Sequence, residues 1–115
     1  MNQAYDEVLS GAQVFIAEDE VGVQGVLVLR LDDEGFLLEN VAVHPRVKGK
    51  GLGKRLLALA GREAIAQGHN SIYLYTHARM ATNIDRYLAH GYSEFARRNE
   101  HGFARVFMRK TLVAQ

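Results

Sequence analysis

A chain of 115 residues, 48% hydrophobic and 23% charged, has the size and composition of one globular domain, taken here as residues 1–115. Its formal net charge of +1 gives no global attraction to nucleic acid or to an anionic membrane. With no cysteine, disulfides, thiolate nucleophiles and zinc–cysteine sites are excluded, and a reducing cytoplasm is the expected compartment.

The opening MNQAYDEVLSG has neither a basic segment nor an apolar core, so a signal peptide is not expected. No apolar run approaches the ~20 residues that cross a bilayer, and no membrane partner is expected. Residues 2–9 read as a short helix with Tyr5, Val8 and Leu9 on one side. Ala12–Glu18 (AQVFIAE) is apolar and β-branched and reads as a strand. Val21–Leu31 is a longer strand, antiparallel to the first because only Asp19 and Glu20 separate them. After the turn LDDEG, Phe36–Val43 (FLLENVAV) is a third strand, closed by Pro45, the only proline.

A helical pattern runs from about Gly51 to Gln67. Leu52, Leu56 and Leu59, with Leu57, Ala60 and Ala64, fall at three- and four-residue spacings, and Gly68 stops the pattern. Ser71–Thr76 is a strand. Met80–His90 is a second helix with Ile84, Tyr87 and Leu88 inward, ending at Gly91. Tyr92–Arg98 and Phe103–Lys110 are strands joined by a turn at NEHG. The predicted order is (α)βββαβαββ, a mixed α/β class.

The segment Arg46–Ala60 (RVKGKGLGKRLLALA) carries three alternating glycines and five of the fourteen Lys and Arg residues. A helix start offers unpaired amide N–H groups and a partial positive charge. Glycines just before it let those amides close around phosphate oxygens, and Lys48, Lys50, Lys54 and Arg55 add mobile charge. A solvated basic loop is the plainer alternative. A Walker loop is ruled out because Gly53-Lys54 is followed by Arg55, and a dinucleotide fingerprint because position 56 is Leu56.

The phrase Lys48-Gly49-Lys50-Gly51-Leu52-Gly53 resembles the pyrophosphate loop Gln/Arg-x-x-Gly-x-Gly/Ala of the GNAT superfamily of N-acetyltransferases, with lysine in the first place. Val41-Ala42-Val43-His44-Pro45 resembles the end of that family's preceding strand. Tyr87-Leu88-Ala89-His90-Gly91-Tyr92 resembles its later helix, with Tyr four residues before Gly-Tyr. The resemblance covers about residues 12–110. It implies a GNAT-like α/β fold, a mostly antiparallel sheet flanked by helices, abbreviated at its N-terminus. The usual two helices that wall the acceptor pocket have no counterpart in so short a front.

The resemblance further implies an acetyl-CoA-dependent N-acetyltransferase acting directly on a primary amine. The main chain of Val41, Ala42 and Val43 would pair with the pantetheine arm. The amides of Lys48, Gly49, Lys50, Gly51, Leu52, Gly53 and Lys54 would hold the pyrophosphate. Tyr87 would protonate the departing thiolate. Many relatives carry Asn seven residues before that tyrosine; Met80 stands there, and Asn83, four before it, is the cofactor-contact candidate. Glu39 is the candidate general base, directly or through a water, because strand alternation sets it on one face with Val41 and Val43; an ordinary exposed strand carboxylate fits it as well.

The five histidines show no metal-ligand spacing, so no metal is expected. The basic loop lacks interleaved aromatics, so no nucleic acid is expected. A non-catalytic acyl-CoA-binding or interaction module of the same fold is the alternative function. Exposed strand edges and the short front make a homodimer a further expectation.

Overall fold

The computed structural model describes residues 2–7, for their backbone alone, and 11–113. The strands are β1 (Asn2–Glu7), β2 (Ala12–Glu18), β3 (Val23–Asp32), β4 (Gly35–Val43), β5 (Ser71–His77), β6 (Ser93–Glu100) and β7 (Phe103–Thr111). The helices are α1 (Leu52–Ala66) and α2 (Ala81–Ala89). The strands form one seven-stranded sheet in the order β1-β2-β3-β4-β5-β7-β6. Every neighbouring pair is antiparallel except β4–β5. The mixed, mostly antiparallel α/β fold expected from the sequence is therefore the observed one.

The N-terminal helix is not. Residues 2–7 form β1, paired residue for residue with β2 from Asn2↔Ala17 to Glu7↔Ala12. A pattern of one turn or so is weak evidence for a helix, and a neighbouring strand with open hydrogen-bonding groups outcompetes it. Positions 8 and 9 of the expected helix lie outside the described residues.

Helix α1 covers one face of the sheet with the stripe that its spacing predicts. Leu52, Leu56, Leu57, Ala60 and Ala64 are buried, and they join Leu27, Leu29, Leu38, Ile72, Leu74, Val106 and Met108 in one core. Its first turn sits on β3 at Gly25. A Cβ there would lie 3.0 Å from the Ala42 carbonyl oxygen and 3.1 Å from methyl carbons of both Leu52 and Leu56. Gly25→Val is accordingly expected to cost about 1–3 kcal/mol through overpacking. The urea midpoint would report it; an unchanged midpoint would mean that α1 seats itself without that close approach.

Both helices stop by the same backbone motif. In α1 the amides of Gly68 and His69 bond to the carbonyls of Ile65 and Ala64. In α2 those of Gly91 and Tyr92 bond to Leu88 and Tyr87. This is the Schellman pattern, and Gly91 supplies the left-handed residue it requires, at φ 93°. The rings of Tyr87 and Tyr92 meet edge to face at 5.7 Å, the apolar contact that accompanies such a stop. The spacing Tyr-x-x-x-Gly-Tyr thus has a structural cause of its own.

The sheet opens where its one parallel pair runs. Strands β4 and β5 share a single register pair, Leu37↔Tyr73, near the start of each. Beyond it they separate, so the β5-facing edge of Val41–Val43 has no partner strand while β3 pairs the other edge.

Candidate active site

The chain leaving β4 is held down at two points before it reaches α1. A short 3-10 turn, Pro45–Val47, follows His44, whose Nδ1 accepts the Arg46 amide at 3.1 Å. Val47 is buried. Arg46 reaches back to the β2–β3 turn, donating to both oxygens of Asp19 at 3.0 and 3.1 Å and to the carbonyl of Gly22. That guanidinium holds the Asp19 carboxyl well below the usual carboxylate range. Of the basic residues in this segment, Arg46 therefore serves the fold.

Past this anchor the backbone turns twice through the left-handed region, at Gly49 and Gly51, each with φ 83°. A side chain at either position would strain the turn. Gly51 is the N-cap of α1, and no side chain caps it. The first amides of α1 lack intrahelical partners by construction, so they stand open to an anion. Gly53 plays a different part. Its conformation is helical, and an added Cβ would meet only a Val43 methyl, at 3.7 Å. Its want of a side chain keeps space clear beside the helix start.

Two adjoining cavities occupy that space. One, of about 180 Å³, is lined by Val43, Val47, Lys48, Gly49, Leu52, Gly53 and Arg86. The other, of about 230 Å³, is lined by Val41–Val43, Lys48, Gly53, Leu57, Arg86 and His90. They share Val43, Lys48, Gly53 and Arg86. Together they make one cleft, from the start of α1 to the open edge of β4, with α2 as its far wall.

Seven of the residues picked out in the sequence meet there: Val41, Ala42, Val43, Lys48, Gly49, Leu52 and Gly53. Lys50, Gly51 and Lys54 belong to the same turn but do not line the cleft. Asn83 and Tyr87 sit on α2, half-buried, and also fall outside the lining. Tyr87 packs against the core beside Ile84, with no hydrogen bond to its hydroxyl among the described residues. Burial pushes its pKa up, opposed by the nearby charge of Arg86.

Glu39 departs from its expected face. Val28 pairs with Asn40 and Leu29 with Leu38, so Glu39 is the extra residue of a β-bulge. The bulge breaks the alternation. Leu38 and Val41 both pack on the helix side, whereas Glu39 bonds to Arg30, whose register partner Leu37 belongs to the small opposite-face cluster with Tyr73 and Phe107. The Arg30 guanidinium reaches both carboxylate oxygens, the second at 3.4 Å.

Val47, Leu57, Arg86 and His90 line the cleft but were not picked out as site residues in the sequence. Arg86 on α2 and His90, the residue that caps its end, lie four apart and so share a side, but nothing local says that this side meets the start of α1. Among the described residues, no group of three His, Asp or Glu side chains lies close enough to hold a metal ion. Among them, too, no helix is long and apolar enough to cross a membrane.

A split sheet beside an uncapped, glycine-led helix start defines an α/β domain with an elongated cleft open to an anion at one end. Residues 10–94 match the family model described as an acetyltransferase (GNAT) domain. The chain belongs to the GNAT acetyltransferase family, a family of acyltransferases. Among curated proteins none matches the chain. Solved structures do. An IAA acetyltransferase from Bacillus cereus is similar over 97% of this chain and 99% of its own, at 18% identity and a TM-score of 0.80. A GNAT family acetyltransferase from Elizabethkingia anophelis, solved with acetyl-CoA bound, is similar over 90% of this chain and 78% of its own, at 18% identity and a TM-score of 0.80. Nourseothricin acetyltransferase is similar over 90% of this chain, which spans 66% of it, at 20% identity and a TM-score of 0.78. At such identities the likeness is one of fold.

Proposed function

We propose that this domain moves an acetyl group from acetyl-CoA directly to a primary amine. The observation that carries this is the continuous cleft joining the open amides of α1 to the unpaired edge of Val41–Val43. A pyrophosphate suits the first end, and the amides of a pantetheine arm suit the second. The acetyl-CoA held by the Elizabethkingia anophelis relative, on the same fold, supports the choice of donor. A backbone N–H on the free edge of β4 can stabilise the thioester carbonyl as it turns into an oxyanion. With no cysteine in the chain, an acyl-cysteine intermediate has no nucleophile, which favours direct transfer.

An alkylammonium must lose a proton before it attacks, since its pKa is about 10.4. Glu39 is the proposed acceptor. Because Arg30 already engages both carboxylate oxygens, it would act through a water on the remaining lone pairs. Glu39→Gln is expected to lower turnover about tenfold or more with acetyl-CoA affinity unchanged. Unchanged turnover would assign Glu39 to the ion pair alone.

A non-catalytic acyl-CoA-binding module is the second reading, favoured by one feature. Only residues 8–11 separate β1 from β2, a connection too short to supply the two helices that the resemblance places around an acceptor. Amine-dependent release of free CoA decides between them: release across a panel of amines supports the enzyme, and acetyl-CoA binding without release supports the module. We place the domain in the cytoplasm on the strength of its cysteine-free sequence. A homodimer is proposed at the sheet edges β1 and β6, each paired on one side only; a monomer mass at every concentration would overturn it.

A further inference from the structure

The four residues common to both cavities, Val43, Lys48, Gly53 and Arg86, mark the neck where one passes into the other. On one side lie Gly49 and Leu52, at the amide-rich start of α1. On the other lie Val41, Ala42 and Leu57, apolar and beside the open strand edge. A CoA thioester has the same order of parts: an anionic pyrophosphate, then an uncharged pantetheine arm. The neck corresponds to the junction between them.

Arg86 is the one guanidinium among the residues lining this cleft. It is exposed and takes part in none of the ion pairs of the described residues, so its charge is not spent within the fold. Its backbone is nonetheless well anchored. Ile84 and Tyr87 pack on the core, and the chain after α2 is tied back by the Gly91 and Tyr92 amides. A fixed Cα with an uncommitted guanidinium suits a ligand contact, because a guanidinium can present two parallel N–H groups to one phosphate.

We infer that Arg86 binds the phosphate adjoining the pantetheine arm, an assignment that rests on the cofactor reading above. The consequence is a rule of donor selection. Arg86 reads a group that CoA shares with any thioester of 4′-phosphopantetheine, and it does not read the nucleotide.

Calorimetric titration of three probes into the wild-type chain and Arg86→Ala tests this. Acetyl-CoA contains both phosphates of the pyrophosphate. S-acetyl-4′-phosphopantetheine keeps only the phosphate next to the arm, and adenosine 3′,5′-bisphosphate lacks that phosphate. Arg86→Ala is expected to weaken the first two by a similar factor, about tenfold or more, and to leave the third unchanged. Arg86→Lys should recover part of the loss for the first two, since a lysine keeps the charge without the fork. Equal weakening of all three probes would reduce Arg86 to a general positive charge, and no weakening of acetyl-CoA would remove it from the site; either overturns the inference. If the wild type binds none of the three, the cofactor reading itself falls and this assignment falls with it.

Discussion

Gly53→Asp is expected to abolish acetyl-CoA binding, with affinity down at least about a hundredfold, while the domain stays folded. Gly53 is the second residue of α1 and has helical geometry, so an aspartate there is sterically ordinary and sits favourably at the positive end of the helix. Its carboxylate would occupy the space that both cavities share and would repel any phosphate brought to the helix start. Gly53→Ala sharpens the contrast. Replacing glycine by alanine within a helix is worth roughly 0.5–1 kcal/mol, which in a domain of this size raises the melting temperature by a few degrees. The same methyl narrows the cleft and should weaken acetyl-CoA. Higher stability with lower affinity would identify Gly53 as a residue kept for the ligand. Equal affinity in wild type and both variants would return the glycine segment to a solvated loop.

Tyr87→Phe is expected to lower turnover about a hundredfold with acetyl-CoA affinity held, the scale at which a positioned acid contributes. The departing thiolate needs a proton, and a phenol offers one only while it remains protonated. Burial raises the pKa of Tyr87 above the ordinary value of about 10, the Arg86 charge partly opposing, so the hydroxyl keeps its proton through neutral and mildly alkaline pH. If Tyr87 is that acid, the pH–rate profile should accordingly show no loss of it around neutral pH. Because no hydrogen bond to the hydroxyl is formed among the described residues, the phenylalanine variant should retain its thermal stability. Wild-type turnover in that variant would leave Tyr87 as the ring that seals the end of α2 against Tyr92.

Much of this fold could be read locally. The expected helix from about Gly51 to Gln67 is α1 with its two cap residues included, and Met80 and His90 likewise flank α2. Helix ends are legible because their signals, a glycine just past the last turn and a change of periodicity, lie within a few residues of the backbone groups they satisfy. Strands β2 to β7 also appear near their expected limits, most of them carried by a run of apolar or β-branched residues, and the polar β6 by the turn that joins it to β7. The misread segment, β1, had no such run, and only its register with β2 makes it a strand.

Local pattern was enough for the class of the fold, the two helices with their stops, and a glycine-led helix start suited to an anion, because each depends on local backbone preference and on apolar spacing. Tertiary structure decided three things that no local pattern holds. The β3–β4 register throws Glu39 into a bulge and toward Arg30, away from Val41 and Val43. The parting of β4 from β5 after one register pair bares the strand edge. The docking of α2 brings Arg86 and His90 to a cleft whose opposite wall, Val41 to Leu57, lies far earlier in the chain. Each is a relation between segments that meet only through packing, so its free energy belongs to the pair and cannot be assigned from either segment alone.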